Sequence, residues 1–390
     1  MSLEQYQQLA KQEQDEIPKS LIPKVIHNLK LLGHFLFNSK HTELETLLIN
    51  DESTFASDLT QTYGFTQHYE QYGEIFCLKI PHPLRTQLNN SAISKEVVNE
   101  LESKINEIPV IVFIHGLGGN LQQFDEVVRK FAGLTDIFAV DLPGSGKSKA
   151  KQGLKLTLEN FTNFVKESLD TNGFIGREII IVAHSYGTQV ALKLAEINEI
   201  NLKGLVLLAP PKIPLKRTWK ENFFLGLFLK IPWLFEFFRK LDRFNNIQSL
   251  SMKRLFSNPE TPEFLRLKQF RFNLLTNSTN FLNHAKSWIP LTISEVIDAS
   301  QTISNNNGSI LIVDGSDDKV THDGGASYHD LLGNNISQYQ ILENAGHNFI
   351  LESFETLNPL LEKFFVSLDS RLDSDYPNKL RSEFSKRSIA

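Results

Sequence analysis

The stretch from Ile179 to Leu192 restricts the fold more than any other in this chain. Four β-favouring aliphatics, Ile179 to Val182, run into Ala183, then His184-Ser185-Tyr186-Gly187, then a helical pattern to Leu192. That order reads as a buried parallel strand, a very sharp turn and a helix. A serine at such an apex is held in a strained conformation with its hydroxyl thrust out above the sheet. Crowding at the turn demands small residues two before and two after the serine, here Ala183 and Gly187. Glycine is usual at both places, so Ala183 is a departure, one that a single methyl group can often fit. Ser185 is therefore a candidate nucleophile, and the remaining chain must supply a base, an acid and an oxyanion hole.

The composition narrows the partners. The chain has 390 residues, 41% of them hydrophobic, which suits one large α/β domain with an insertion, or two domains. Net charge is −5 and the signs are mixed along the chain, so nucleic acid is not an expected partner. Cys77 is the only cysteine, which excludes an intramolecular disulfide and a cysteine-based metal cluster. The start, Met1-Ser2-Leu3-Glu4, lacks a basic region followed by an apolar core, and Glu4, Glu13, Asp15 and Glu16 argue against a mitochondrial presequence. Arg387-Ser388-Ile389-Ala390 does not match the peroxisomal tripeptide. The expected location is the reducing cytoplasm, with peripheral membrane contact left open. No run reaches the roughly 18 uninterrupted apolar residues of a membrane span. Nothing in the sequence fixes an oligomeric state.

Along the chain, residues 1–60 read as a helical, amphipathic N-terminal extension. Within it, Leu21 to Phe37 has apolar residues at helical spacing; packing on the domain is the favoured reading and a membrane surface the sharper one. Phe65–Tyr69 and Glu74–Ile80 read as a hairpin, residues 81–93 as a loop, and Lys95–Ile105 as a polar helix. From Pro109 strands and helices alternate: Val110–Ile114, a helix from Leu121, Asp136–Val140, a helix from Thr157, the Ser185 strand and its helix, then Gly204–Ala209. Such a rhythm implies a mostly parallel central sheet with helices on both faces, and chemistry collected at the carboxyl ends of its strands. The rhythm breaks near Lys212 and resumes at Ser309–Val313 and Gln338–Leu342, followed by a helix to Leu368. The divisions are a first core part over 61–211, an inserted helical cap over 212–305, a second core part over 306–368, and a charged, frayed tail over 369–390. Between Phe223 and Leu241 the apolar residues surround the helix, which reads as cap core, with Pro232 dividing two helices. The sharper reading makes this region a substrate-binding acyl tunnel using Phe224, Phe228 and Trp233, or a membrane-touching lid.

From Val110 to Leu368, about two thirds of the chain, the sequence resembles the α/β-hydrolase fold family. Five motifs in order carry the resemblance: His115-Gly116-Leu117-Gly118-Gly119, Asp141-Leu142-Pro143-Gly144-Ser145-Gly146-Lys147-Ser148, the Ser185 turn, Gly315-Ser316-Asp317-Asp318, and Gly346-His347. The first and third are similar to those of eukaryotic abhydrolase domain-containing proteins. The resemblance implies that His347 is the base and that the acid follows the strand before the last. Counting from Gly315 favours Asp318, with Asp317 the rival by one residue. It also implies an oxyanion hole from the amides of Leu117 and Tyr186. His184 then reads as a packing residue pointing away on the turn, and His115 as an organiser of the oxyanion loop. The Asp141 turn ends in Gly-Lys-Ser but has Asp141 where a phosphate loop needs its first glycine, so it reads as structural. Some related acyltransferases carry an aspartate five residues after the histidine, where this chain has Glu352.

The expectation is a serine hydrolase that cleaves a small-molecule or lipid-like carboxylic ester through an acyl-enzyme, with no metal or organic cofactor. The alternatives are an acyltransferase of the same fold and a non-catalytic binding protein.

Overall fold

The computed structural model describes residues 2–37, 41–85 and 94–387. The sheet contains β1 (Gly64–Tyr69), β2 (Gly73–Ile80), β3 (Val110–Ile114), β4 (Ile137–Val140), β5 (Lys149–Ala150), β6 (Glu178–His184), β7 (Asn201–Leu208), β8 (Ser309–Gly315) and β9 (Ser337–Leu342). The order across it is β1-β2-β4-β3-β6-β7-β8-β9, with β5 paired to β2. From β4 to β9 neighbouring strands are parallel, and β2 runs antiparallel to β1, β4 and β5. The central runs Val110–Ile114, Ile137–Val140, Ile179–Val182, Leu205–Leu208 and Ile310–Val313 are apolar and buried, as strands covered on both faces require, whereas β1 and β9 at the edges carry polar residues.

Side chains alternate between those two faces, as strand geometry requires. Val112, Ile114, Ile181, Ala183 and Leu205 pack with Phe161, Phe164, Val190 and Leu194. Phe113, Val182 and Val206 face the other way, onto Phe124, Phe131, Leu361 and Phe365. The central strand β6 has β3 on one side and β7 on the other, and Ala183 is paired with Ile114 and with Leu207. Strand ends therefore converge on the residue after His184.

The span expected as cap supplies helices Trp219–Lys230, Pro232–Arg243, Leu250–Leu255, Glu263–Leu275 and Ser278–Ser287. The next helix, Ile293–Asn305, belongs to the sheet instead: Val296, Ala299 and Ile303 join the core under β7 and β8. It is the crossover that a parallel pair needs. The N-terminal helices pack against the second half of the cap, where Tyr6, Leu44, Leu48 and Phe55 meet Ile247, Met252 and Phe270.

Three expectations change. Ile22, Val25, Ile26 and Leu29 of helix Leu21–Phe37 are exposed rather than packed on the domain. Pro232 does open a second cap helix, yet helix Trp219–Lys230 buries none of its side chains, so the segment is not cap core. The tail is not frayed over its described part. Residues Tyr376–Arg387 form a helix whose Leu380 packs with Leu84, Leu101 and Ile105, and Lys104 Nζ meets Glu383 at 2.6 Å. Apolar contact from the Lys95–Glu107 helix gives that polar sequence a surface to fold on. Residues 86–93 of the expected loop and the last three residues of the tail lie outside the described residues. No helix among the described residues is long and apolar enough to cross a membrane.

Candidate active site

Ser185 sits at the turn between β6 and helix Gly187–Ala195 with φ 53°, the left-handed region that costs a side-chain-bearing residue free energy. The strain is held by local hydrogen bonds. The Ser185 amide donates to the Leu208 carbonyl at 2.8 Å, and its carbonyl accepts from the Thr188 hydroxyl and amide at 2.6 and 3.0 Å. A Cβ at Gly187 would lie 2.5 Å from the Ile114 carbonyl oxygen, so only glycine fits two residues after the serine. Ala183 meets no such obstacle and is fully buried.

The loop after β9 brings His347 to the serine. Ser185 Oγ lies 3.1 Å from His347 Nε2, and His347 Nδ1 lies 2.8 Å from Asp318 Oδ2. A carboxylate only accepts, so Nδ1 carries the proton, and Nε2 is left to accept from the serine hydroxyl. Asp318 is buried, while Asp317 is exposed in the same turn, which separates the two rivals. Burial alone would raise the Asp318 carboxyl. The hydrogen bond and charge of His347, with donation from Thr321 and Val320, bring it down to about 2 instead. It stays an anion at any neutral pH.

The loop after β3 lies against the serine: a Cβ on Gly116 would be 2.8 Å from Ser185 Cβ. Among the described residues neither the Leu117 amide nor the Tyr186 amide donates to another protein group. The Tyr186 amide follows the serine in sequence, and the Leu117 amide belongs to the loop that lies against it. His115 organises this loop. Its Nδ1–H donates to the Gly116 carbonyl at 2.7 Å and its Nε2 accepts from the Leu142 amide at 2.9 Å. Full burial pushes its pKa down to about 4, consistent with the neutral ring that this pattern needs.

Two supporting residues are clear only in three dimensions. His184 does not point away: its Nε2–H donates to the His347 carbonyl at 3.0 Å, and burial, with the neighbouring His347, lowers its pKa to about 3. Glu352 is a buried clamp between the histidine loop and the cap. It accepts from the Gly346 amide, from the Ser257 and Asn258 amides at 3.1 Å each, and from the Thr261 hydroxyl at 3.2 Å. Its spacing from His347 is visible in the sequence, but its partners in the cap lie more than 90 positions away. The Asp141 turn is structural as expected. Its carboxylate accepts from the Leu121 and Lys147 amides at 2.7 Å each, so the amide of Lys147 is already engaged.

A cavity of about 290 Å³ opens beside the loop after β3, walled by residues of 117–119, 144–150 and 275–284, together with Leu156. Leu117 belongs to both cavity and site; Ser185 and His347 are not on its wall. Its lining mixes Leu117, Leu275 and Phe281 with Ser145, Asn277, Asn280 and His284. Phe224, Phe228 and Trp233, expected to bind substrate, do not line it, and Phe224 and Trp233 are exposed. No group of three or more potential metal ligands occurs among the described residues.

The α/β hydrolase fold family pattern matches residues 109–354, and the chain belongs to that family. It is 29% identical over 205 residues to lipid droplet hydrolase 1 of Saccharomyces cerevisiae, covering 46% of this chain and 54% of that one. It is 29% identical over 156 residues to an abhydrolase domain-containing protein of Schizosaccharomyces pombe, covering 38% and 42%, and 30% identical over 142 residues to a probable lysophospholipase, BODYGUARD 3, of Arabidopsis thaliana, covering 35% and 26%. The chain thus spans about half or less of the curated relatives it matches. Among solved structures, a protein described as a "putative lipase" from Acinetobacter baumannii overlays with a TM-score of 0.56 at 18% identity, covering 85% of this chain and 98% of that one. An esterase from Exiguobacterium antarcticum overlays at 0.57 and 17%, covering 77% and 99%. These overlays establish the shared fold.

Proposed function

We propose that this chain is a serine hydrolase that cleaves a carboxylic ester of a lipid-like, apolar acyl group. The hydrogen-bonded relay from Ser185 through His347 to Asp318 carries the reading. Ser185 Oγ attacks the ester carbonyl carbon while His347 Nε2 takes the hydroxyl proton. The ionised Asp318 holds the ring orientation and offsets the positive charge that forms on it. The carbonyl oxygen becomes an oxyanion held by the Leu117 and Tyr186 amides. Collapse of the intermediate breaks the bond to the alcohol, which leaves with the proton from His347. Water, deprotonated by the same nitrogen, then attacks the acyl-enzyme and releases the acid.

The lipid part rests on resemblance: relatives are named as a lipid droplet hydrolase and a probable lysophospholipase. The mixed cavity beside Leu117 suits an ester with both apolar and hydroxyl-bearing parts. The test is a panel of esters of graded acyl length assayed with wild type and Ser185→Ala. The expected result is release of acid that rises with acyl length and falls by at least three orders of magnitude in the variant. Turnover that survives Ser185→Ala overturns the reading, and a preference for acetyl esters overturns its lipid part.

A further inference from the structure

We propose that helices Trp219–Lys230 and Pro232–Arg243 form a docking element for an anionic phospholipid surface. Trp219, Trp233, Phe223 and Phe224 are 73, 69, 59 and 51% exposed, although they are among the largest apolar side chains in the chain. Scattered exposed apolar residues need no explanation, but here Trp219 and Phe223 stand one turn apart on one helix, the Phe223 and Phe224 rings are 5.6 Å apart, and Trp233 opens the next helix, a concentration that marks a binding face.

The two helices are tied to each other and to the chain beneath them. Thr218 and Glu221 form a reciprocal cap at the start of the first helix. Phe228 packs against Phe235 and Phe238 at 5.3 and 5.8 Å between ring centres, closing the two helices on each other. Arg239 donates to the carbonyls of Asn273 and Thr276 and to the Ser278 hydroxyl, fixing the pair to the helix beneath. The inner rings and cations are thus partnered, and the outer rings are held facing solvent.

Charge identifies the occupant. Between Lys212 and Lys240 there are seven basic and two acidic residues, in a chain of net charge −5. Lys212, Lys216, Lys220 and Lys230 are exposed on the same segment, and Lys220 Nζ lies 5.9 Å from the Trp219 ring centre. Aromatic rings that enter the headgroup boundary, with exposed lysines on the same segment to pair with anionic headgroups, are what a peripheral helix needs there. A second copy fits poorly, because a two-fold contact sets the same patch against itself and opposes the lysines to one another.

The element also connects to the cavity. Phe235 stacks on Phe281 at 6.0 Å and 13°, and Phe281 and Asn280 line the cavity wall. Docking would bring a lipid surface to the helix that walls the cavity. That consequence for turnover rests on the reading of Ser185 given above; the docking itself does not.

The test is co-sedimentation of the full chain with vesicles of phosphatidylcholine, with and without about 30% phosphatidylserine. Wild type and Ser185→Ala should both bind the anionic vesicles, with a blue shift of tryptophan emission, so loss of catalysis leaves the readout intact. Trp219→Ala/Phe223→Ala should bind at least 10-fold more weakly, with unchanged circular dichroism and unchanged turnover of a dissolved short ester. Lys216→Glu/Lys220→Glu, which leaves the rings in place, should lose the preference for phosphatidylserine. Wild type that stays in the supernatant, or variants that bind as tightly as wild type, would overturn the proposal. So would a mass that doubles with concentration in wild type and not in Trp219→Ala/Phe223→Ala, without vesicle binding, since the occupant would then be a second copy.

Discussion

His184 holds the backbone of His347: the 3.0 Å hydrogen bond runs from an imidazole N–H to the carbonyl of the residue whose own ring faces Ser185. The two rings lie 4.8 Å apart, and His184 is buried and neutral. Its place next to the serine is thus a second tie between the turn and the histidine loop. His184→Gln, which keeps an N–H donor, should retain most of kcat. His184→Ala should lower kcat by about 10- to 100-fold with little change in KM, because a misplaced base weakens the transition state rather than substrate binding. Steady-state kinetics on a soluble ester decides this, and equal effects from both variants would contradict it.

Glu352 should act through the same loop. Glu352→Ala strands the buried amide of Gly346, which costs about 1–3 kcal/mol without an acceptor, and frees the half-buried amides of Ser257 and Asn258. The melting temperature should drop by several degrees, and kcat should fall more than that of a surface control. An unchanged melting curve would show that the clamp contributes nothing.

Asp141 gives stability an unusual pH dependence. Burial raises its carboxyl to about 7, against donation from the Leu121 and Lys147 amides, which lowers it. A folded-state value above the unfolded one means that the folded chain binds the proton more tightly. The resulting stability is complete below pH about 4 and is lost as pH rises through about 7. Asp141→Asn cannot titrate, so the advantage of wild type over it in urea unfolding should shrink between pH 4 and 7. A constant or widening difference would contradict the assignment.

Gly187 and Ala183 should respond oppositely to substitution. Gly187→Ala forces a methyl to within 2.5 Å of the Ile114 carbonyl and should abolish activity or folding. Ala183→Gly restores the usual small residue but weakens a strand interior, by roughly 0.5–1 kcal/mol. Activity should survive in that variant. If Gly187→Ala is as active as wild type, the turn is looser than its geometry implies.

The parts of the fold that were legible in the sequence are those dictated by local pattern. The apolar runs of β3, β6 and β8 and the turns that end them follow from period, small residues and strand propensity. Ser185 was legible from its own turn, His347 and Asp318 were implied by the family resemblance, and the burial of Asp318 against the exposure of Asp317 separates those two carboxylates. What the sequence concealed depends on contacts between distant segments. His184 looked like packing because its acceptor lies 163 residues away, and the role of Glu352 was hidden because three of its donors come from the cap. The Phe-rich helices misled for another reason. Apolar periodicity reports which residues would gain from burial, and not whether anything covers them.

Stoichiometric labelling by a fluorophosphonate, with the adduct located by peptide mass spectrometry, tests the central claim most directly. One adduct per chain on Ser185, absent from Ser185→Ala and formed far more slowly in His347→Ala, is the predicted result. An adduct on another residue, or labelling undiminished in Ser185→Ala, would contradict it.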